Sequence, residues 1–144
     1  MIYIDSNVFI FAAIDRGTAG DEAGELLDLL RKDVLSACTS ALTFDELLWI
    51  VRKEKGIEES VLACKSVMDI RGLKTVRADK NTVLVALDFI KNYNLKPRDA
   101  LHMATMKLEN INEIISNDSD FDKVKTIKRH TIKNLLINIK EKNK

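Results

Sequence analysis

The chain opens with a short apolar run, Ile2-Tyr3-Ile4, in which no polar residue alternates with the apolar ones. Such a run is typical of a strand that is covered by helices on both faces of a sheet. Asp5 follows directly, and the apolar segment 8–14 after it is long enough for a helix. Because α/β proteins bind their ligands at the carboxyl ends of parallel strands, Asp5 is a candidate functional residue. An Asp in this place can equally cap the helix that follows.

Short apolar runs alternate with longer segments of helical periodicity along the rest of the chain. This alternation predicts a single α/β domain with a mainly parallel sheet of four to five strands, right-handed crossovers and flanking helices. Strands are predicted at 2–4, 35–39, 73–76 and 113–116, with an edge strand at 126–127. Helices are predicted over about 8–14, 21–32, 43–55, 57–68, 83–90, 97–108 and 132–139.

Length and composition suit one folded domain, since the chain has 144 residues, of which 46% are hydrophobic and 31% charged. We place the domain at residues 1–139 and expect the basic tail, 140–144, to fray. No apolar run approaches the roughly 18 residues of a membrane span, and the start lacks the basic region of a signal peptide. Cys38 and Cys64 form no CxxC pair. We therefore expect a cytoplasmic protein with no membrane partner.

The net charge of +1 conceals an uneven distribution. From residue 123 onward, eight basic residues face the single acid Glu141, so this end carries +7 and residues 1–122 carry −6. A basic end beside an acidic body favours contact with a polyanion, although a run of charge is also typical of plain solvated surface. The basic residues are Lys123, Lys125, Lys128, Arg129, Lys133, Lys140, Lys142 and Lys144.

Acidic residues recur at other places where a strand ends or a helix begins. Glu46 lies early in the helix after the second strand, Asp99 lies in the first turn of the helix at 97–108, and Asp118 and Asp120 follow the strand at 113–116. Each has a local alternative explanation: a capping box for Glu46, the positive end of a helix for Asp99, and turn formation for the last pair.

Carboxylates that converge at one sheet edge require a counter-ion. Two unit charges 4 Å apart repel by about 4 kcal/mol at an effective dielectric constant near 20. Several such groups would stay ionised at neutral pH only beside a cation, and oxygen ligands without cysteine favour Mg²⁺ or Mn²⁺.

Four segments of the chain resemble, in order and spacing, the successive acidic motifs of the PIN-domain nucleases, and most closely those of the small VapC-type toxins. The segments are DSNVF at 5–9, FDELLWIVR at 44–52, RDALHMA at 98–104 and SNDSDFD at 116–122. The resemblance implies a Rossmann-like sheet, an Mg²⁺ site that Mn²⁺ can also fill, and cleavage of RNA. It also implies a homodimer and a VapB-type antitoxin partner.

The resemblance also implies roles for individual residues. Asp5, Glu46, Asp99 and Asp118 match the catalytic acids, of which Asp5, Asp99 and Asp118 would bind the metal. Glu46 and Asp120 are additional candidate ligands. The polar supporting positions match Asn7 and Ser116. Asp45 is an alternative to Glu46, but Glu46 directly precedes the apolar run, as the family's glutamate does.

Other polar residues are weaker candidates. His102 is three residues after Asp99, a spacing that can place two ligands on one helix face, but its neighbours favour a core position. Arg98, Lys128 and Arg129 are candidates for RNA binding, and Arg98 can instead neutralise the acidic cluster.

The interpretation from sequence is thus a metal-dependent endoribonuclease, in which a metal-activated water attacks the phosphodiester and leaves a 5′-phosphate. Two alternatives stay open. The first is a stand-alone nuclease of the same fold in RNA processing or decay, and the second is a non-catalytic RNA-binding or interaction module. A nucleotide triphosphatase is disfavoured because no glycine-rich phosphate loop of the Walker type is present.

Overall fold

The computed structural model describes residues 1–144 and contains one sheet of five short strands. All neighbouring strands are parallel, so the predicted fold class is confirmed. The strands are β1 (Ile2–Ile4), β2 (Ala37–Ser40), β3 (Leu73–Val76), β4 (Glu113–Ile115) and β5 (Lys128–His130). The helices are α1 (Ser6–Ile14), α2 (Thr18–Arg31), α3 (Thr43–Lys55), α4 (Ile57–Met68), α5 (Lys80–Tyr93), α6 (Pro97–Leu108) and α7 (Ile132–Lys142), with a 3-10 helix at Ser119–Lys123.

The strands lie in the order β3-β2-β1-β4-β5, with β1 at the centre. After β1 the chain adds β2 and then β3 on one side of it, and β4 and then β5 follow on the other side of β1. Tyr3 of β1 is in register with Cys38 of β2 and with Ile114 of β4. The gap between the carboxyl ends of β1 and β4 is therefore the point where the strand order reverses, which is the usual ligand site of such sheets.

The two faces of the sheet carry separate apolar clusters. Ile2 and Ile4 point to the face covered mainly by α1, α2, α3, α4 and α7, whereas Tyr3 points to the face covered by α5 and α6. This alternation follows from the two-residue period of side chains along a strand. Because both faces are covered, all three residues of β1 are buried, as the uninterrupted apolar run predicts.

The return connection explains how Asp99 reaches the edge that carries Asp5. Two helices, α5 and α6, lie between β3 and β4, and α6 is the last before β4. Since β4 is parallel to β1, α6 must run back toward the amino ends of the strands, so its own N-terminus lies at their carboxyl ends. Pro97 occupies the first turn of α6, as predicted.

Most boundaries differ from the sequence prediction by a few residues at most, and two of the differences need an explanation. The edge strand is at Lys128–His130 and not at 126–127, because Ile127 lies in a turn and packs against the α5–α6 core. The last helix continues to Lys142, so the predicted start of a frayed tail at 140 falls inside it. An exposed ion pair of 2.8 Å connects Lys140 of this final turn to Glu25 of α2. No helix of the structure has both the length and the apolar character needed to cross a membrane.

Candidate active site

The site begins at the carboxyl end of β1, where Asp5 is only 5% exposed. Ser116, which directly follows β4, donates its hydroxyl to Asp5 Oδ2 at 2.7 Å. Ser6 donates more weakly to Oδ1 at 3.3 Å. Asp5 is the residue before α1, but its side chain accepts no hydrogen bond from the helix backbone. The alternative that Asp5 serves as a helix cap is therefore wrong for its side chain.

Glu46 of α3 faces the same place. Its Oε2 accepts a hydrogen bond of 2.7 Å from Ser6, and its Oε1 lies 3.3 Å from Nε2 of His102. The capping-box explanation of Glu46 is wrong, because no side chain caps α3. Thr43, which has the capping-box spacing of three residues before Glu46, instead shares a hydrogen bond of 2.7 Å with Thr39 of β2.

The neighbouring acid Asp45 points away from the site. Its side chain is 76% exposed and lies 3.7 Å from the guanidinium of Arg98. Of the two adjacent acids, Glu46 is thus the one that the fold brings to Asp5.

Under the endoribonuclease interpretation from sequence, we expect Glu46→Gln to lower RNA cleavage by about 10²-fold or more, because it removes one of the four carboxylates that the resemblance assigns to catalysis. Asp45→Asn, an equal loss of charge one residue earlier, should leave the rate within about twofold, because an exposed ion pair contributes little. Cleavage of one labelled RNA under single-turnover conditions measures both. A larger loss for the Asp45 variant would reverse the assignment.

Three further carboxylates complete the cluster. Asp99, Asp118 and Asp120 each offer an oxygen within 4.8 Å of the others, close enough to hold one metal ion. Asp118 also supports its own loop: its Oδ1 accepts from the backbone N–H of Asp120 at 2.9 Å, and its own N–H donates to Ser116 Oγ at 3.0 Å. Asp118 therefore stabilises the turn, as predicted, and also belongs to the acidic cluster.

The cluster shifts the ionisation of its members. Burial, together with the negative charges of Asp118 and Asp5, raises the pKa of Asp99 to about 6. Burial also raises the pKa of Asp5, against the opposing effects of His102 and Ser116. Burial opposes ionisation of Glu46, but hydrogen bonds from His102 and Ser6 outweigh it and lower the pKa of this carboxyl. The acids thus repel one another in the absence of a cation.

Among the residues that the resemblance assigns to the site, two buried oxygens have no hydrogen-bond donor: Oδ2 of Asp99 and Oδ1 of Asn7. Buried acceptors are almost always paired in folded proteins, so each unpaired one calls for an explanation. Carboxylate and amide oxygens are the ligands that hard divalent cations prefer. The residues at this edge therefore fit a divalent cation, with Asp99, Asp118 and Asp120 as the group that could hold it.

His102 of α6 lies closer to the acids than the sequence analysis, which favoured a core position, predicted. It is buried, as its apolar neighbours indicate, yet its Nε2 lies 3.3 Å from Glu46 Oε1 and 3.5 Å from Asp5 Oδ1. Its Nδ1 is hydrogen-bonded to the hydroxyl of Tyr3. Burial lowers the pKa of His102, but the hydrogen bond to Glu46 and the charges of Asp5 and Glu46 outweigh burial and raise it.

Basic residues surround the acidic cluster without entering it. Lys96 and Arg98 line a pocket of about 460 Å³ together with Glu46, Asp99 and Asp118. Lys96 lies 4.0 Å from Asp120, and both basic side chains are more than half exposed. They are free to meet a polyanion that approaches the carboxylates.

Arg129 of β5 has other partners. Its guanidinium donates two hydrogen bonds of 2.9 Å to Asp122 and one of 3.1 Å to the carbonyl of Ser116. These contacts brace the loop between β4 and β5, which carries Asp118. Lys128, the preceding residue, is exposed. An RNA-binding role of either residue stays a prediction.

The model of one protein family, the PIN domain, matches residues 2–127 of this chain. The chain belongs to the PIN-domain family. The match spans β1 through the loop before β5, and so includes every acid of the cluster described above. The matched region therefore contains four of the five strands and all the helices except α7.

Similar proteins agree with this family. The Ribonuclease VapC6 of Methanocaldococcus jannaschii is 28% identical over 145 residues, covering 83% of this chain and 93% of VapC6. Among solved structures, the sarcin–ricin loop cleaving toxin VapC20 of Mycobacterium tuberculosis has a TM-score of 0.70 at 14% identity, covering 85% of this chain and 93% of that one. The DNA-bound VapBC of Salmonella typhimurium has a TM-score of 0.70 at 16% identity, with 92% and 99% covered. At these identities the structural likeness establishes the PIN fold.

Proposed function

We propose that this PIN domain is an Mg²⁺- or Mn²⁺-dependent endoribonuclease and the toxin of a VapBC-type toxin–antitoxin pair. The observation that carries the proposal is the convergence of Asp5, Glu46, Asp99 and Asp118 at the strand-order reversal, with a buried oxygen of Asp99 left without a donor. The similarity to VapC6, which is a ribonuclease, supports RNA as the substrate.

In this proposal Asp5, Asp99 and Asp118 hold the cation, with Asp120 as a further ligand. A bound divalent cation supplies two effects, a lower pKa of water and neutralisation of charge on the scissile phosphate. Glu46, whose pKa is lowered, is ionised at neutral pH and can orient the attacking water and accept its proton. Ser116 and Ser6 keep the Asp5 and Glu46 carboxylates in place by donating hydrogen bonds, and Asn7 supports the same edge.

Attack by water on phosphorus expels the 3′-oxygen of the preceding nucleotide and leaves a 5′-phosphate and a 3′-hydroxyl. This reaction does not use the RNA 2′-hydroxyl, so a preference for RNA must come from contacts outside the reacting bond. Lys96 and Arg98, at the rim of the pocket, are placed to bind phosphates on either side of it. Lys128 and Arg129 are further candidates along the basic end of the chain.

The proposed partners are an antitoxin and a second copy of the chain. Solved structures of similar fold include VapBC complexes, such as VapBC2 of Rickettsia felis bound to a fragment of promoter DNA. Exposed apolar side chains on α3 and α4, and others on α5 at the opposite face of the sheet, are candidates for such contacts. They are Leu48, Trp49, Ile57, Val61, Leu62, Val83, Leu84 and Leu87 of α3, α4 and α5. Phe9 and Phe44, by contrast, are buried in the core.

Incubation of the purified protein with a pool of structured RNAs, such as tRNA and ribosomal fragments, tests this function. We expect cleavage with Mg²⁺ or Mn²⁺, none with EDTA, and 5′-phosphate ends at the cut sites. Asp5→Asn preserves the volume of the side chain and should abolish cleavage while the circular dichroism spectrum stays unchanged. Cleavage in EDTA, or undiminished cleavage by the Asp5 variant at saturating Mg²⁺, would contradict the proposal. RNA binding that survives acid-to-amide changes, without any cleavage, would favour a non-catalytic module.

A further inference from the structure

We propose that His102 is a positioning residue of the metal site, whose Nε2–H holds the carboxylates of Glu46 and Asp5 while the Tyr3 hydroxyl fixes the imidazole ring from behind. This inference rests on the proposed function, because it assigns His102 a task toward the cation site. It assigns a role to two residues, His102 and Tyr3, that are not among the acids of the four motifs.

The first argument is placement. His102 is 2% exposed and Tyr3 is fully buried, so neither can reach an RNA strand in solvent. The histidine belongs to α6 and the tyrosine to β1, while Glu46 belongs to α3. The imidazole therefore joins three separate elements directly beneath the carboxylates, which a simple apolar core residue would not do.

The second argument is the direction of the hydrogen bonds. The backbone N–H of Ser40 donates to the Tyr3 hydroxyl oxygen at 3.2 Å. The phenol hydrogen is then left to be donated to Nδ1 of His102. On the other side, Nε2 meets only carboxylate oxygens, which accept and cannot donate when ionised. The carboxylate side of the ring therefore requires a hydrogen on Nε2, and a phenol that donates to Nδ1 is compatible with it.

The third argument is that these contacts fix the orientation of the Asp5 and Glu46 carboxylates. Asp5 accepts a hydrogen bond from Ser116 on Oδ2 and a weaker one from Ser6 on Oδ1, and Nε2 of His102 lies 3.5 Å from this second oxygen. Glu46 is held by Ser6 on one oxygen and by His102 on the other. Each carboxylate is thus fixed by donors from two sides and cannot rotate freely. Hydrogen-bond partners of this kind orient metal-binding carboxylates and tune their affinity for the ion.

His102 is not itself a metal ligand in this assignment. Its Nδ1 faces the tyrosine hydroxyl and its Nε2 faces the two carboxylates, so neither nitrogen has a lone pair directed at an ion. This distinguishes the proposal from the direct-ligand role that the spacing between Asp99 and His102 allows.

Mn²⁺ binding to the RNA-free protein, measured by electron paramagnetic resonance, tests the assignment with two matched variants. His102→Leu keeps a buried side chain of similar size but has no donor, and we expect its Mn²⁺ affinity to fall at least tenfold. His102→Gln can place an amide N–H near the position of Nε2, and we expect an affinity within about threefold of the wild type. Thermal unfolding of both variants, recorded in EDTA, identifies any general loss of folding.

A second measurement uses the wild-type protein alone. The chain has only two histidines, His102 and His130, so a His130→Gln variant assigns their ring nitrogens in long-range ¹H–¹⁵N spectra. We expect a proton bonded to Nε2 of His102 at neutral pH, and an unprotonated Nε2 would overturn the proposal. Equal or tighter Mn²⁺ binding by a folded His102→Leu variant would also overturn it and leave the nuclease function intact. If the wild type bound no Mn²⁺, the proposed function itself would fail, and this inference with it.

Discussion

Asp99→Asn is expected to abolish RNA cleavage and, in the same protein, to raise the stability of the metal-free fold. The loss of a carboxylate that we propose binds the cation removes several kcal/mol of transition-state stabilisation, which corresponds to about 10³-fold or more in rate. The gain in stability follows from the cluster, because burial and the charges of Asp118 and Asp5 already raise the pKa of this acid to about 6. A neutral amide relieves that repulsion.

The size of the stability gain is limited by two opposing effects. Relief of repulsion contributes about 1 to 2 kcal/mol, after allowance for the screening of a half-buried group by water. The variant also loses a negative charge at the N-terminus of α6, which costs about 0.3 to 1 kcal/mol. We therefore expect a net gain near 1 kcal/mol, or a rise in Tm of about 3 °C in EDTA.

Asp45→Asn is the matched control for this experiment. It also removes a carboxylate from the first turn of a helix, but Asp45 is exposed and outside the cluster. It should neither stabilise the protein nor stop cleavage. If Asp99→Asn and Asp45→Asn lowered the free energy of unfolding by the same amount, the neighbouring charges would not destabilise ionised Asp99 as we propose.

Metal binding is expected to depend steeply on pH below about 6 and to level off above pH 7. Below a pH of about 6, which is the pKa of Asp99, this carboxyl binds a proton. A cation must displace that proton, so the free energy of metal binding becomes less favourable as the pH falls further. The apparent affinity for Mn²⁺ should therefore fall about tenfold for each pH unit below that value. The raised pKa of Asp5 acts in the same direction. Titrations with Mn²⁺ at pH 5, 6, 7 and 8 measure this dependence.

The stability of the metal-free protein should follow the opposite course. The carboxyl of Asp99 has an ordinary pKa of 3.8 and a folded pKa of about 6. Its contribution to stability is therefore complete below about pH 4 and is lost as pH rises through 6. The raised pKa values of Asp5 and His102 give the same sign. We expect these groups to lower the Tm in EDTA between pH 5 and 8, and in Asp99→Asn this decline should be smaller. A metal affinity that stays constant from pH 5 to 7 would contradict the account.

Much of this site could be predicted because it depends on local sequence order. The apolar run before Asp5 specifies a buried central strand, and parallel strands bring their carboxyl ends to one edge. Pro97 also predicts the start of α6 correctly, because the fixed backbone angle of proline suits the first turn of a helix. In these places the local pattern and the tertiary structure require the same thing.

The failures arise where tertiary contacts override a local pattern. Thr43 and Glu46 have the spacing of a capping box, yet Thr43 bonds to Thr39 of β2 and Glu46 turns to Ser6 of α1. Local sequence cannot reveal these contacts, because their partners lie on other elements. Ile127 likewise has the composition of a strand but packs into the core from a turn.

The contact between Tyr3 and His102, which lies beneath the acids, could partly have been predicted from the sequence. Tyr3 stands in a run that is buried on both faces, and a buried tyrosine hydroxyl needs a hydrogen-bond partner. His102 stands among core positions of α6 with the same requirement. Two unpartnered polar groups in one predicted core suggest a pair, although only the fold shows that the pair lies under Asp5 and Glu46.

The measurement that tests the central claim most directly is the anomalous diffraction of a crystal soaked in Mn²⁺. The account predicts a strong anomalous peak among the carboxylates of Asp99, Asp118 and Asp5, at the carboxyl ends of β1 and β4, and no such peak in Asp99→Asn. A peak elsewhere, or an empty cluster in the wild type at saturating Mn²⁺ and neutral pH, would contradict it.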